Sequence, residues 1–112
     1  MCEFKVFIGN GEVEKVYDDV VYAKVDGETI ILKNVLGMRK TISSALIEEV
    51  DVQSETLKIK RSSIIGKLLI FLGKYGELIN RGIYSEDIEK LWEEIKNEGD
   101  AMVKKLWILT HK

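Results

Sequence analysis

At Arg61 the hydrophobic period of this chain changes from two to 3.6, dividing its 112 residues into a strand-rich half and a helical half. Phe4, Val6 and Ile8 alternate with Lys5 and Phe7, and the run ends at Gly9-Asn10-Gly11, which tolerates the positive φ of a hairpin turn. A second strand begins at Glu12, where Val13 and Val16 lead to Asp18-Asp19. Val20 to Val25 then forms a β-branched run closed by Asp26-Gly27. Thr29 to Lys33 returns as its partner. Gly37 marks a turn before Arg39-Lys40-Thr41-Ile42, and Ile47 to Val52 and Leu57 to Lys60 flank Gln53-Ser54-Glu55. Six or seven strands this close together leave no room for crossover helices. The pattern predicts an antiparallel meander closed into a small barrel or sandwich over about residues 3–60. An open sheet of this size would expose two edges, so closure or a second copy's strand is expected, and with it a homodimer.

Beyond Arg61, Ser62-Ser63 can cap a helix in which Ile65, Leu68, Leu72, Tyr75 and Ile79 share one face. Ile64, Phe71 and Leu78 widen that stripe, and the helix is predicted to run to about Asn80 unless Gly76 breaks it. Gly66 and Gly73 lie seven apart on one side and suggest the close approach of a neighbouring backbone. Gly82 ends the segment. Ser85 caps a second helix with Ile88, Leu91, Trp92 and Ile95 at core spacing, and Gly99-Asp100 separates it from a third stretch ending in Leu106-Trp107-Ile108-Leu109. The expected fold is therefore α+β, with a small β-domain over 1–61 and a helical extension of two or three helices over 62–112. That extension is expected to pack on the barrel or on a dimer partner, with Tyr75, Trp92 and Trp107 in its core.

Composition narrows the function. Apolar residues make up 46% and charged residues 32%, the balance of a soluble folded domain. The longest apolar run, Leu68 to Leu72, is far short of the ~20 residues of a membrane span. The start Met-Cys-Glu-Phe-Lys lacks the features of a secretory signal, and one cysteine cannot form an internal disulfide; the expected compartment is the cytoplasm. Residues 1–60 carry 8 basic and 11 acidic side chains. A nucleic-acid face would need Lys33, Arg39, Lys40, Lys58, Lys60 and Arg61 to converge, and the acidic balance disfavours RNA as a partner.

Catalysis has little support in the inventory. His111, the one histidine, stands next to the last residue, and no phosphate-binding loop or CxxC spacing occurs. The pairs Glu48-Glu49 and Asp18-Asp19 read as solvated surface, so no enzyme is expected. Cys2 differs because of its position. Removal of the initiator Met would give it both a free α-amine and a thiol, a chelating pair that, with an adjacent deprotonated amide, suits nickel(II) or copper(II), while the soft thiolate also suits zinc or copper(I). One chain cannot complete such a site comfortably, whereas a twofold dimer doubles the ligand set. The bland alternative is a small residue before the first strand.

Several segments carry a resemblance: Met1-Cys2-Glu3-Phe4-Lys5-Val6, Asp18-Asp19-Val20 before a β run, Asp26-Gly27, Leu36-Gly37 followed by Arg39-Lys40-Thr41-Ile42, and Ile47 to Val52. Together, over about residues 1–60, they resemble the CooT family of small nickel-binding proteins, some also labelled predicted RNA-binding proteins. The resemblance implies an SH3-like or Sm-like barrel forming a homodimer, with Cys2 as nickel ligand at its interface. It also implies nickel delivery to a metalloenzyme client, carbon monoxide dehydrogenase. The helical region after Arg61 departs from the family's minimal form, and beside nickel and RNA binding it leaves a third reading, a protein-interaction adaptor in which the helical half contacts a client.

Overall fold

The computed structural model describes residues 3–9 and 13–111. Six strands, β1 (Phe4–Gly9), β2 (Val13–Asp26), β3 (Thr29–Asn34), β4 (Arg39–Ser43), β5 (Ala45–Asp51) and β6 (Thr56–Arg61), are followed by helices α1 (Ser63–Arg81) and α2 (Asp87–Thr110). The α+β class is thus as expected, with two helices and not three. The strands form one sheet in the order β4-β3-β2-β1-β6-β5.

Two features of that sheet correct the sequence reading. It is mixed, because β1 pairs with β6 in parallel, from Lys5 opposite Thr56 to Ile8 opposite Ile59. The remaining neighbours are antiparallel. A crossover helix is not needed for this parallel pair, since the four intervening strands curl round and return the chain to β1's free side. Closure is also incomplete: among the described residues no ladder joins the edge strands β4 and β5, so the sheet is a curled half-barrel. These edges meet at one residue, Ser44, held at φ 53° with its N–H donating to the Glu28 carbonyl (2.7 Å).

The segments read as separate strands around Asp18-Asp19 are one long strand, β2, bent where Asp19 takes φ 56° and the registers with β1 and β3 shift. A bend of this kind lets one strand serve two neighbours around a tight curve. The turns follow their residues. Gly27 and Gly37 take positive φ, and Asn34 Oδ1 accepts from the Leu36 and Met38 N–H groups at 3.0 and 2.9 Å. Alternation places Val6, Val20, Ile30, Leu32, Leu57 and Ile59 in the core with Ile42 and Ala45.

The helices form an antiparallel hairpin, with Gly82 at φ 64° ending α1 and the Ser85 hydroxyl accepting from the Asp87 N–H (3.3 Å). Neither Gly76 nor Gly99 interrupts a helix. Gly99 faces α1, where an added Cβ would make an ordinary contact 3.9 Å from Ile64 Cδ1, so the approach of the two helices does not depend on glycine there. Phe71 packs on Trp92 with centroids 5.5 Å apart. The α1 stripe facing α2 is therefore the one through Ile64, Phe71 and Leu78. Of the stripe expected to be core, Ile65 is buried at the junction with the sheet, but Leu68, Leu72, Tyr75 and Ile79 stay open, with Leu72 51% and Ile79 62% exposed. Trp92 (49%) and Trp107 (60%) are likewise exposed and are not core. A single partner helix covers one side of α1, and the second apolar side has no partner among the described residues.

The hairpin touches the sheet mainly where α1 begins, against β5. The result is a slab 49 × 47 × 21 Å with a radius of gyration of 17.0 Å, against about 13 Å for a compact chain of this length. Gly66 carries that junction: an added Cβ would come 3.0 Å from Ser44 Cβ and 3.3 Å from its Cα. At Gly73 the same addition meets nothing within 4 Å, so the expected close approach exists at one glycine of the two. Gly66→Ala should cost about 1–3 kcal/mol by overpacking a corner that cannot shift. Gly73→Ala should gain up to ~1 kcal/mol from helix propensity. Denaturant unfolding of both variants checks the opposite signs.

Candidate functional site

The sequence-predicted ligand, Cys2, lies outside the described residues, one position before Glu3. What the structure does establish is the setting of the strand it precedes. β1 is central, with β2 on one side and β6 on the other. Phe4 stands opposite Val20, and the Lys5 N–H donates to the Glu55 carbonyl (2.9 Å). The start of β1 is thereby clamped between the bend of β2 and the turn before β6.

Beside it lies a shallow hollow of about 190 Å³ lined by Phe4, Val20, Tyr22, Ile47, Val50 and Leu57 among others. Its floor is apolar, and Val21, Tyr22, Val50 and Val52 at this end of the sheet are exposed. Among the described residues, no three of His, Cys, Asp and Glu come together as a metal-binding group. His111 stacks on Trp107 at the far end of α2, with ring centroids 4.4 Å apart.

The comparisons bear on this half of the chain. Residues 1–60 match the family described as CO dehydrogenase accessory protein CooT. The chain belongs to the CooT family. Its sheet is also similar to a crystal structure of a provisionally assigned CooT from Carboxydothermus hydrogenoformans, with a TM-score of 0.51 and 25% identity. That match covers 55% of this chain and 100% of the other. No curated protein matches the chain. The CooT family is one of accessory proteins, in keeping with the absence of a catalytic motif from the sequence. No described helix is long and apolar enough to cross a membrane.

The CooT match ends within β6, so α1 and α2 are additions to the family's sheet. The basic residues considered for RNA fall into two groups on that sheet. Lys33, Arg39 and Lys40 lie on β3 and β4, where Lys33 Nζ sits 4.6 Å from the Tyr22 ring centroid and Lys40 Nζ donates to the Val16 carbonyl (2.9 Å). Lys58, Lys60 and Arg61 lie on β6, where Lys58 and Lys60 face Glu49 (3.7 Å) and Glu48 (3.9 Å) of β5.

One feature the sequence reading missed is an apolar groove of about 720 Å³ at the hairpin's closed end, between Tyr75 and Ile79 of α1 and Trp92 of α2. Its signal was present in the sequence as two interleaved heptad-spaced stripes on α1, read there as one wide stripe.

The turn flanking β1 offers a test of its electrostatics. Asp51 Oδ1 accepts from the Gln53 and Ser54 N–H groups at 3.0 and 3.3 Å. Its pKa is lowered from 3.8, chiefly by the Ser54 N–H and then by the Ser54 side chain. Because the folded value lies below the unfolded one, the stabilisation is complete above about pH 4 and is lost as pH falls through the folded value. The stability advantage of wild type over Asp51→Asn should therefore be constant from pH 7 to 5 and vanish on acidification. A pH series of thermal melts checks this, and a gap that does not shrink as the pH is taken below about 4 would contradict it.

Proposed function

We propose that this chain carries nickel(II) on Cys2 for delivery to an apo-metalloenzyme, with carbon monoxide dehydrogenase as the client its family points to. The observation that carries the reading is the family match over residues 1–60, which spans Cys2, the one cysteine in the chain. Nickel is cargo in this reading, and the donors must bind it firmly enough to hold it and loosely enough to release it. A thiolate supplies a soft, charged ligand, and the α-amine exposed by loss of Met1 closes a five-membered chelate with it.

Two chains meeting at their N-termini would supply two such chelates to one ion, the isologous contact of a C2 dimer. The apolar hollow beside Phe4 and the exposed Val21, Tyr22, Val50 and Val52 support a contact at this end of the sheet, because uncovered apolar groups are what such an interface buries. Delivery then requires the client's ligands to replace one chelate at a time. RNA binding is the weaker reading, since Lys58 and Lys60 are already opposed by glutamates and the first half is acidic overall.

Nickel titration of the native protein followed by absorbance should give a thiolate-to-metal charge-transfer band saturating at one nickel per two chains. Cys2→Ala should lose both the band and the tight binding. Equal affinity in that variant would remove Cys2 from the site, and intact mass in parallel reads whether Met1 is cleaved.

A further inference from the structure

We propose that the open face of the helical hairpin is the docking surface for a second copy of this chain, the last turns of each α2 lying in the groove between α1 and α2 of the other. This rests on the hairpin alone and goes beyond the metal reading.

Three observations converge on it. The first is the two-striped α1. Leu68, Leu72, Tyr75 and Ile79 recur at alternating spacings of three and four, the pattern of a helix packed against neighbours in a bundle, and they stand on the same side of the hairpin as Trp92. The opposite side carries Lys74, Glu77 and Arg81, which pair with one another. An apolar face backed by a charged one has a defined inside, and here that inside is solvent.

The second is the overhang of α2. Ser63 at the start of α1 donates to Glu98, so α2 runs on for a further twelve residues, about 18 Å at helical rise, past the end of its partner helix. Met102, Leu106 and Leu109 continue the seam that Ile88 and Ile95 present to α1, at the same spacing. Leu106 and Leu109 are nevertheless 62% and 56% exposed. A helix that overhangs the end of its mate by about three turns, with its apolar seam continued along the overhang, carries a stretch of seam with no helix against it.

The third identifies the occupant. Glu86 to Asp100 holds seven acidic and two basic side chains, and Glu89 and Glu93 line the groove itself. Ala101 to Lys112 holds three lysines and no acid. The chain's acidic aromatic groove and its basic apolar helix end are complementary to each other. They lie at opposite ends of α2, where they cannot meet within one molecule. An antiparallel pair brings each end onto the other's groove, a self-complementary isologous contact. Side chains of this size at half exposure leave several hundred Å² of apolar surface open, comparable with the ~800 Å² each partner contributes to a standard interface.

The test uses the full chain carrying Cys2→Ala, without nickel, so that a metal-dependent N-terminal contact plays no part. Sedimentation should give twice the 12.8 kDa of one chain. Lys104→Glu with Lys105→Glu, and separately Glu89→Lys with Glu93→Lys, should each weaken self-association at least about tenfold, because each places like charges opposite one another. Mixing the two variants should restore assembly as a heterodimer, since both contacts are complementary again. All four positions are exposed, and helical circular dichroism reports whether each variant is folded. A chain that stays monomeric up to hundreds of micromolar overturns the proposal and leaves the groove to a different protein. So do charge variants that dimerise like the parent, or a mixture that fails to assemble.

Discussion

The parallel ladder between β1 and β6 sets the layout of the whole chain. By joining the first strand to the last it forces the four strands between them to curl, and the curl creates the buried interior shared by Val6, Leu32 and Ile59. It also fixes both ends of the sheet domain. The N-terminal residues enter beside β6, clamped by the bond from the Lys5 N–H to the Glu55 carbonyl, and the chain leaves β6 next to Ser44, the corner against which α1 packs. A candidate ligand at position 2 and a helical hairpin beginning at Ser63 are thus both attached to one ladder, though nothing in their own sequences relates them.

The helices obey a different constraint. A helix with one apolar stripe is satisfied by one neighbour, whereas α1 has two stripes and a single helical neighbour. The choice between the stripes follows from local fit. Ile64 lies against α2 beside Gly99, and Trp92 covers Phe71, so the face through Ile64 and Phe71 closes on α2. The face through Leu72 and Ile79 is left over. The sheet cannot take it, because the junction at Gly66 holds α1 by its first turn only and the remaining turns run clear of β5. Unused apolar area on this scale in a monomer marks an interaction surface.

Much of this was legible in the sequence, and the failures have physical causes. Strand alternation around Val6, Ile30 and Ile59, the turns at Gly27 and Gly37, and the end of α1 at Gly82 are local effects, set within a few residues, and each is found where its residues imply. The parallel pairing was not legible, since no local pattern records which strand returns beside which. Nor was the bend at Asp19, because aspartate at positive φ inside a strand reads as a turn until its carbonyl is seen accepting from the Val35 N–H. Gly99-Asp100 read as a break, but one glycine costs only about 1 kcal/mol of helix propensity, which the tertiary packing of an amphipathic helix outweighs, and α2 runs through it. For the candidate site, the family match over residues 1–60 agrees with the resemblance carried by the strand and turn motifs. Position 2 itself was marked by residue type and place in the chain, and lies outside the described residues.

A hairpin contact and an N-terminal contact on one chain constrain each other by symmetry. Two different isologous interfaces related by separate twofold axes generate either a closed tetramer or an open filament, whereas two that share an axis generate one dimer. A shared axis for the two proposed contacts would have a chemical consequence. Were the hairpins engaged, the second Cys2 thiolate would be tethered to the first, and its binding to a common ion would become an intramolecular step at an effective concentration of roughly millimolar. The ion could then be released from one chelate, and passed on, without the two chains coming apart. A minimal family member, with the sheet alone, would have to draw its association from the metal and the small apolar edge beside β1. The added helices would therefore separate two jobs that the shorter form must combine, holding the chains together and holding the ion between them.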